Sequence, residues 1–244
     1  MRSRYVTTDG IVLRRRPRPN GDALVTLLSP AGKWRALART GKSGSGNAGR
    51  LSLFNDVSVQ YYRRTEGDLP VITQVTLNGM LPRLSEPDLY PLAHFLAELC
   101  DALTVDVDYG EPLYDYLTSG LRGLCLHEDP EKVAIAYAWG MLRVAGLAPD
   151  PGGCGSCSGT APISNLDIPA GLFTCGDCAR GRRLDAVTLV ELTALVSGRL
   201  RSSLTLPLAH RQEHWQLLNR YLDHHVTRLR SSEDFGSGAL AGNA

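Results

Sequence analysis

The chain has 244 residues, 43% of them hydrophobic and 21% charged, with a net charge of +1, which fits a globular protein of one to three domains and excludes a low-complexity or highly charged disordered chain. No apolar run reaches the roughly eighteen residues that a membrane span needs, and the opening MRSRYVTTDG leads into no apolar stretch, so neither a spanning helix nor a secretory leader is expected. The expected compartment is the cytoplasm, where thiols stay reduced.

The near-neutral total hides a polarity along the chain. Residues 1–80 hold 13 Lys and Arg against 5 Asp and Glu, residues 81–150 hold 4 against 12, and residues 151–244 hold 9 against 8. A basic head beside an acidic middle predicts two surfaces with different partners.

The head reads as strands. YVTTDGIVLRRR, DALVTLLSPAGKWRALART, DVSVQYYRR and LPVITQVTLNGM are short runs rich in β-branched and aromatic residues, separated by Pro-Asn-Gly, Ser-Pro-Ala-Gly and Glu-Gly-Asp turn signals. Four to six short strands at this spacing predict a small barrel or sandwich. Between the third and fourth lies GKSGSGNAGR, expected to be a mobile loop because Gly and Ser cannot pack. ALARTGKS, residues 36–43, approaches the phosphate-loop pattern G-x-x-x-x-G-K-[ST] but lacks its first Gly and is followed by GSGNAG. That sequence cannot open the helix whose N-terminus would face phosphates, which argues against nucleotide hydrolysis.

The basic residues of the head form a set: Arg14, Arg15, Arg16 and Arg18 before one turn, then Lys33, Arg35, Arg39 and Lys42, then Arg50, Arg63 and Arg64. Strand alternation puts Lys33 and Arg35 on one face and Trp34 on the other. A solvated charged surface is one reading. So many cations with so few carboxylates repel one another unless an anion is near, and for a strand-built module the commonest such anion is a nucleic-acid backbone. Aromatic residues are few here (Tyr5, Trp34, Phe54, Tyr61, Tyr62), so phosphate contacts should outweigh base stacking and sequence preference should be slight.

From Ser85 the period changes to helical. DLYPLAHFLAELCDALT, PLYDYLTSGLRGLCLH and PEKVAIAYAWGMLRVAGL predict amphipathic helices, and DAVTLVELTALVSGRL and RQEHWQLLNRYLDHHVTRLR predict two more near the end. Cys100 and Cys125 fall on apolar faces and are expected to be buried small hydrophobes. His210 and His214 lie one turn apart, but Arg211 stands where a zinc protease would carry its Glu base, so these and His224 and His225 are expected on a solvated helix surface. The tail SSEDFGSGALAGNA has little to bury and is expected to be disordered.

Between the helical stretches, Cys154, Cys157, Cys175 and Cys178 follow C-x2-C-x17-C-x2-C. Two residues between thiols make a tight turn that aims both sulfurs at one ion, so two such pairs predict a tetrahedral zinc site. Gly155 and Gly176 are expected to supply the positive φ of such knuckles. Disulfides and a single redox pair are the alternatives, disfavoured by a reducing compartment and by the matched pairs. Four thiolates leave no position for water, so the one zinc ion should be structural and should hold a coreless insert in shape.

The order of motifs in DGIVLRRRPRPNGDALVTLLSPAGKWRALARTGKSGSGNAGRLSLFNDVSVQYY resembles the N-terminal barrel of the bacterial recombination mediator family RecO. In that family a G-I-V-L-R strand, an E/D-x-L-x-T-L strand, a G-K turn, an A-x-G-x-K/R-S loop and an L-x-x-F strand follow in this order. A helical region, a four-cysteine segment and closing helices occupy similar places, so the likeness covers about residues 1 to 230. The Ser29-Pro30-Ala31 turn and Ala36 in place of Gly depart from the family pattern.

The resemblance implies an α+β chain: an N-terminal OB-fold barrel (1–80), a helical domain (81–150), a four-cysteine zinc finger (151–183) and C-terminal helices packing on the bundle (184–230), before the tail (231–244). It implies a role in recombinational DNA repair after DNA damage, with single- and double-stranded DNA, RecR and single-strand binding protein as partners. It also implies strand annealing, recombinase loading and a cytoplasmic, nucleoid-associated location without a membrane partner. On this reading Arg14, Arg15, Arg16, Lys33, Arg35, Arg39, Lys42, Arg50, Arg63 and Arg64 bind nucleic acid, and Arg122, Lys132 and Arg143 are the few cations of the middle segment that an acidic tail of single-strand binding protein could meet. No paired carboxylates, no nucleophile with its base and no open metal position mark an enzyme. An RNA-binding or translation-linked module on the same barrel is the competing expectation.

Overall fold

The computed structural model describes residues 5–39, 47–65, 67–104, 110–232 and 235. Five strands come first: β1 (Tyr5–Pro17), β2 (Ala23–Ser29), β3 (Gly32–Ala38), β4 (Asp56–Tyr62) and β5 (Val71–Gly79), with a single helical turn, α1 (Asn47–Arg50), ahead of β4. They close into a barrel in the order β1-β2-β3-β5-β4. Closure works because β1 is long enough to pair twice. Its first half runs antiparallel to β4 and its second half to β2, with a bulge between Val12 and Arg14. The parallel β3–β5 pairing seals the last seam.

Alternation divides the barrel's apolar residues between two cores. Val12, Val25, Leu27, Ala36, Val57, Val59 and Val75 fill the interior. Ile11, Leu13, Leu28 and Phe54 face outward and join the core of the helices. Alternation lets Val12 and Leu13 serve opposite sides before the strand emerges into solvent at Arg14.

The helical part comprises α2 (Tyr90–Leu103), α3 (Gly110–Leu126), α4 (Pro130–Val144), α5 (Ala186–Val196), α6 (Leu200–Thr205) and α7 (Arg211–His225), with 3-10 turns at Pro82–Ser85 and Arg230–Ser232. Every residue of α4 from Lys132 to Leu142 is buried, as expected of a helix apolar on all sides and enclosed by neighbours. Close approach of α3 and α4 depends on Gly140, where a Cβ would stand 2.4 Å from the Tyr116 ring. Asp129 caps the start of α4 by accepting from the Lys132 amide at 3.1 Å.

Three expectations change here. The insert around the cysteines is not coreless: β6 (Ile163–Asp167), β7 (Leu172–Cys175) and β8 (Arg182–Arg183) form a sheet in the order β7-β6-β8. Its Leu166, Phe173 and Leu184 join the same core as α2–α7, so the segments expected as 81–150, 151–183 and 184–230 share one interior. The start of the expected disordered tail is packed: Ser231 bonds to Glu98, and Phe235 stacks on Trp215 at 4.5 Å and meets Phe95 at 5.9 Å. Residues 233–234 and 236–244 lie outside the described residues. Of the expected mobile loop, 47–50 form α1, and 41–46, with Lys42 and the Gly-Lys-Ser end of the phosphate-loop look-alike, lie outside the described residues.

Candidate metal centre and nucleic-acid interface

The four cysteines converge. Their sulfurs all lie within 4.8 Å of one another, with Cys154 and Cys178 at 3.8 Å and Cys157 and Cys175 at 3.8 Å. Thiolates at about 2.3 Å from one tetrahedral ion stand about 3.8 Å apart, so the spacing fits zinc and is far too long for a disulfide. The β6–β7 hairpin does the placing, since Cys154 and Cys157 precede it and Cys175 ends β7. Amides of Cys175 and Gly159 donate to the sulfurs of Cys154 and Cys157 at 3.3 and 3.4 Å. The Cys175 amide, foremost among backbone donors, lowers the Cys154 thiol to about 6. Cys178 is pushed up to about 12, first by its hydrogen bond with Cys157 and then by those with Cys175 and Cys154. A cation at the centre would lower all four thiols and draw their protons off.

The knuckle glycines do not serve as expected. Positive φ falls on Ser158 (54°) and Ala179 (49°), each just after the second cysteine of its pair. Their amides reach back to the carbonyls of Cys154 and Cys175 at 2.9 and 3.0 Å. Gly155 matters for another reason: a Cβ there would sit 2.8 Å from Leu172.

Anchoring comes from α7 and the loops around it. His225 Nε2–H donates to Ile168 O at 2.6 Å, and Tyr221 Oη–H to Leu147 O at 2.6 Å. Arg182 pairs with Glu213 at 2.6 Å. The solvated-surface reading of the four histidines is corrected at His214, which is fully buried and donates through Nε2–H to Glu191 at 2.8 Å. Burial holds its pKa below 6.5, outweighing the Glu191 bond, and the neutral ring leaves Nδ1 without a partner. Asp185, His210 and Glu213 also gather within 4.8 Å. Their atoms are already in use: Asp185 caps α5 by accepting from Val187 and Thr188, and Thr188 Oγ1 donates to Glu213.

Cys100 and Cys125 are buried as expected, and burial pushes the Cys100 thiol up to about 12.

The basic residues disperse in part. Strand register sets the end of β1 beside the start of β2, then the end of β3, the start of β5 and the end of β4: Pro17 opposite Ala23, Ala23 opposite Ala38, Ala38 beside Ile72, Tyr62 opposite Val71. Arg16, Arg18, Arg39, Arg63 and Arg64 therefore follow one path along consecutive strand ends, all exposed. Arg35 is exposed on the outer face of β3, while Trp34 turns toward the barrel core and meets Tyr61 at 4.8 Å. Arg63 lies over the Tyr61 ring at 5.8 Å. Arg50 donates to the Val75 carbonyl at 3.0 Å and ties α1 to β5.

Lys33 is a correction. It stands at the opposite strand ends, its ammonium 2.8 Å from Asp101 Oδ1 and 2.7 Å from the Asp101 carbonyl of α2, with only 16% of its side chain exposed. It serves the joint between barrel and helices and is not available to phosphate. Arg14 joins the same carboxylate at 2.5 Å. Basic head and acidic middle thus partly satisfy each other, a pairing across distant segments that local sequence does not announce. Of the three cations named in the middle segment, two are engaged within the helices. Lys132 donates to the Leu206 carbonyl just past α6, and Arg143 to Val196 O at the end of α5, where cations complement helix C-termini. Arg122, exposed, stands 3.9 Å from Asp56.

Between the end of β1 and the first turns of α2 lies a groove of about 800 Å³ that sequence reading did not foresee, lined by Arg14, Arg15, Arg16, Tyr90, His94 and Arg230 among others. Among the described residues no helix is long and apolar enough to cross a membrane.

Two family descriptions match the chain and together take in most of it. "Recombination protein O N terminal" matches residues 1–80 and "Recombination protein O C terminal" residues 84–233. Among similar proteins, the DNA repair protein RecO of Roseiflexus sp. (strain RS-1) is 28% identical over 93% of this chain and 83% of its own length. That of Syntrophotalea carbinolica is 25% identical over 98% and 96%, and that of Myxococcus xanthus 29% over 93% and 95%.

Proposed function

The chain belongs to the RecO family of DNA repair and recombination proteins, and from that premise we propose that it is a non-enzymatic mediator that binds single- and double-stranded DNA, anneals complementary strands and assists recombinase loading. The observation that carries this reading is the path of exposed arginines along the strand ends, Arg16, Arg18, Arg39, Arg63 and Arg64, with Arg15 and Arg35 nearby. Cations at these positions neutralise phosphates on two strands, the repulsion between strands falls, and pairing speeds up with no bond made or broken.

The four thiolates hold one structural zinc ion, which cross-links the ends of the β6–β7 hairpin and leaves no position for water. RecR and single-strand binding protein belong to this reading as partners, with no docking residue assigned, and the place of action is the cytoplasm at the nucleoid.

The test is binding and annealing by a variant with Arg15, Arg16, Arg35, Arg39, Arg63 and Arg64 replaced by Ala. Loss of affinity for all DNA sequences and slowed annealing are expected; full annealing by this variant would remove the mechanism. Competition with RNA of equal length separates this reading from an RNA-binding one.

A further inference from the structure

The groove beside β1 combines cations with an exposed ring. Arg15 and Arg16 line one side, and among the described residues neither has a carboxylate partner. Arg230 lines the other side, at the 3-10 turn that follows α7. Tyr90 lines the same groove with 41% of its surface exposed, its ring in contact with those of Phe54 at 5.8 Å and His94 at 5.8 Å. A tyrosine held by two neighbouring rings and still two-fifths exposed offers a flat, apolar surface on which another ring can stack.

The one carboxylate among the groove's described lining residues, Glu98, is engaged by the turn that carries Arg230: it accepts from the amides of Arg230 and Ser231 at 3.3 and 2.9 Å and from the Ser231 hydroxyl, which keep it ionised and hold it in place. Among the described residues His94 Nδ1 is buried without a partner.

We propose that this groove is a single-strand subsite in which one unpaired nucleobase stacks on Tyr90 while the flanking phosphates are held by Arg15, Arg16 and Arg230. The proposal rests on the nucleic-acid-binding reading above and adds to it a preference for strands with unpaired bases. A duplex presents its bases edge-on and already stacked, so it cannot use the ring. The subsite joins residues of the barrel, of α2 and of the C-terminal turn, and a bound strand would therefore bridge the two halves of the chain.

The experiment compares full-length wild type, Tyr90→Ala and Tyr90→Phe in fluorescence anisotropy titrations. The probes are a labelled oligothymidine, a fully abasic strand of the same length, and a duplex hairpin closed by an abasic linker. Stacking of one base predicts that Tyr90→Ala weakens oligothymidine binding about 5- to 150-fold, with the salt slope unchanged because no charge is lost. Tyr90→Phe keeps the ring and should bind as wild type does, and hairpin affinity should not change in either variant. The abasic strand should bind wild type and Tyr90→Ala equally. Oligothymidine binding that survives Tyr90→Ala, or a matching loss for the hairpin, overturns the subsite and leaves the arginine path standing. Failure of wild type to bind any probe in low salt overturns the underlying reading as well.

Discussion

The metal segment and the basic barrel are the two regions that residue pattern marks most plainly, and the fold treats them in opposite ways. Four sulfurs separated by seventeen residues of intervening chain meet within 4.8 Å, whereas the cations of the head spread out, some to solvent and some to carboxylates in the helices. Coordination demands one geometry, and only a short list of spacings satisfies it. A long charged side chain satisfies its charge wherever an opposite charge arrives, and that depends on packing far away in sequence. Ligand patterns therefore predict contacts, while charge runs predict only a supply of charge.

The contrast can be attacked first at the metal. Removing zinc with a chelator, or replacing Cys154 or Cys175 by Ser, should abolish cooperative folding of residues 151–185, since structural zinc supplies about 10–16 kcal/mol in small isolated sites. Thermal melting and metal analysis check this. Because Leu166 and Phe173 are docked in the main core, the helices should keep their far-ultraviolet signal while the melt broadens; an unchanged melt would deny the metal a structural role.

A smaller loss is expected at the joint. Asp101→Ala strands Lys33, mostly buried, beside Arg14, and breaking such a pair costs about 3 kcal/mol, read from denaturant unfolding. Lys33→Met should cost less than Asp101→Ala, because it leaves no buried ammonium without a partner. The reverse order would mean that Lys33 is not serving the joint.

The α5–α7 clasp should give a modest pH effect. His214 has its pKa lowered by burial, so the folded state resists protonation that the unfolded chain accepts. This contribution is fully present above about pH 6.5 and is lost as pH falls below it toward the folded value. His214→Gln should flatten the acid limb of the stability profile in that range, and an identical limb in the variant would mean that other groups set it.

The smallest change concerns single arginines. Replacing Arg39 or Arg63 by Ala should reduce the salt slope of single-strand binding by about 0.7 each, one phosphate apiece, whereas Lys33→Met should leave it unchanged because Lys33 serves the joint. A slope unmoved by Arg39→Ala would take that residue off the DNA path.

Much of the fold was open to reading from residues alone, for physical reasons that differ by region. The head's strands were visible because β-branched runs and Gly-containing turns recur at short spacing, and the helices because Leu92, Phe95, Leu96 and Leu99 repeat at helical period. Cys100 and Cys125 were placed correctly by the apolar faces they sit on. The small sheet around the knuckles escaped notice because ISNLD carries Ser, Asn and Asp beside two apolar residues and LFTC is only four residues long, so no alternation stood out. His214 was misjudged since its partner Glu191 lies on another helix. Phe235 was lost among Gly, Ala and Ser, although one aromatic ring in a small-residue tail was itself a signal of anchoring. The groove at Tyr90 was out of reach, because its parts come from β1, α2 and the turn after α7.

Binding of the full-length protein to oligothymidine as a function of salt bears most directly on the role of the arginine path. If five to seven phosphates are neutralised along the strand ends, log affinity falls linearly with log salt at a slope of about −3.5 to −5. Affinity that is indifferent to salt, or absent in dilute buffer, would contradict that role.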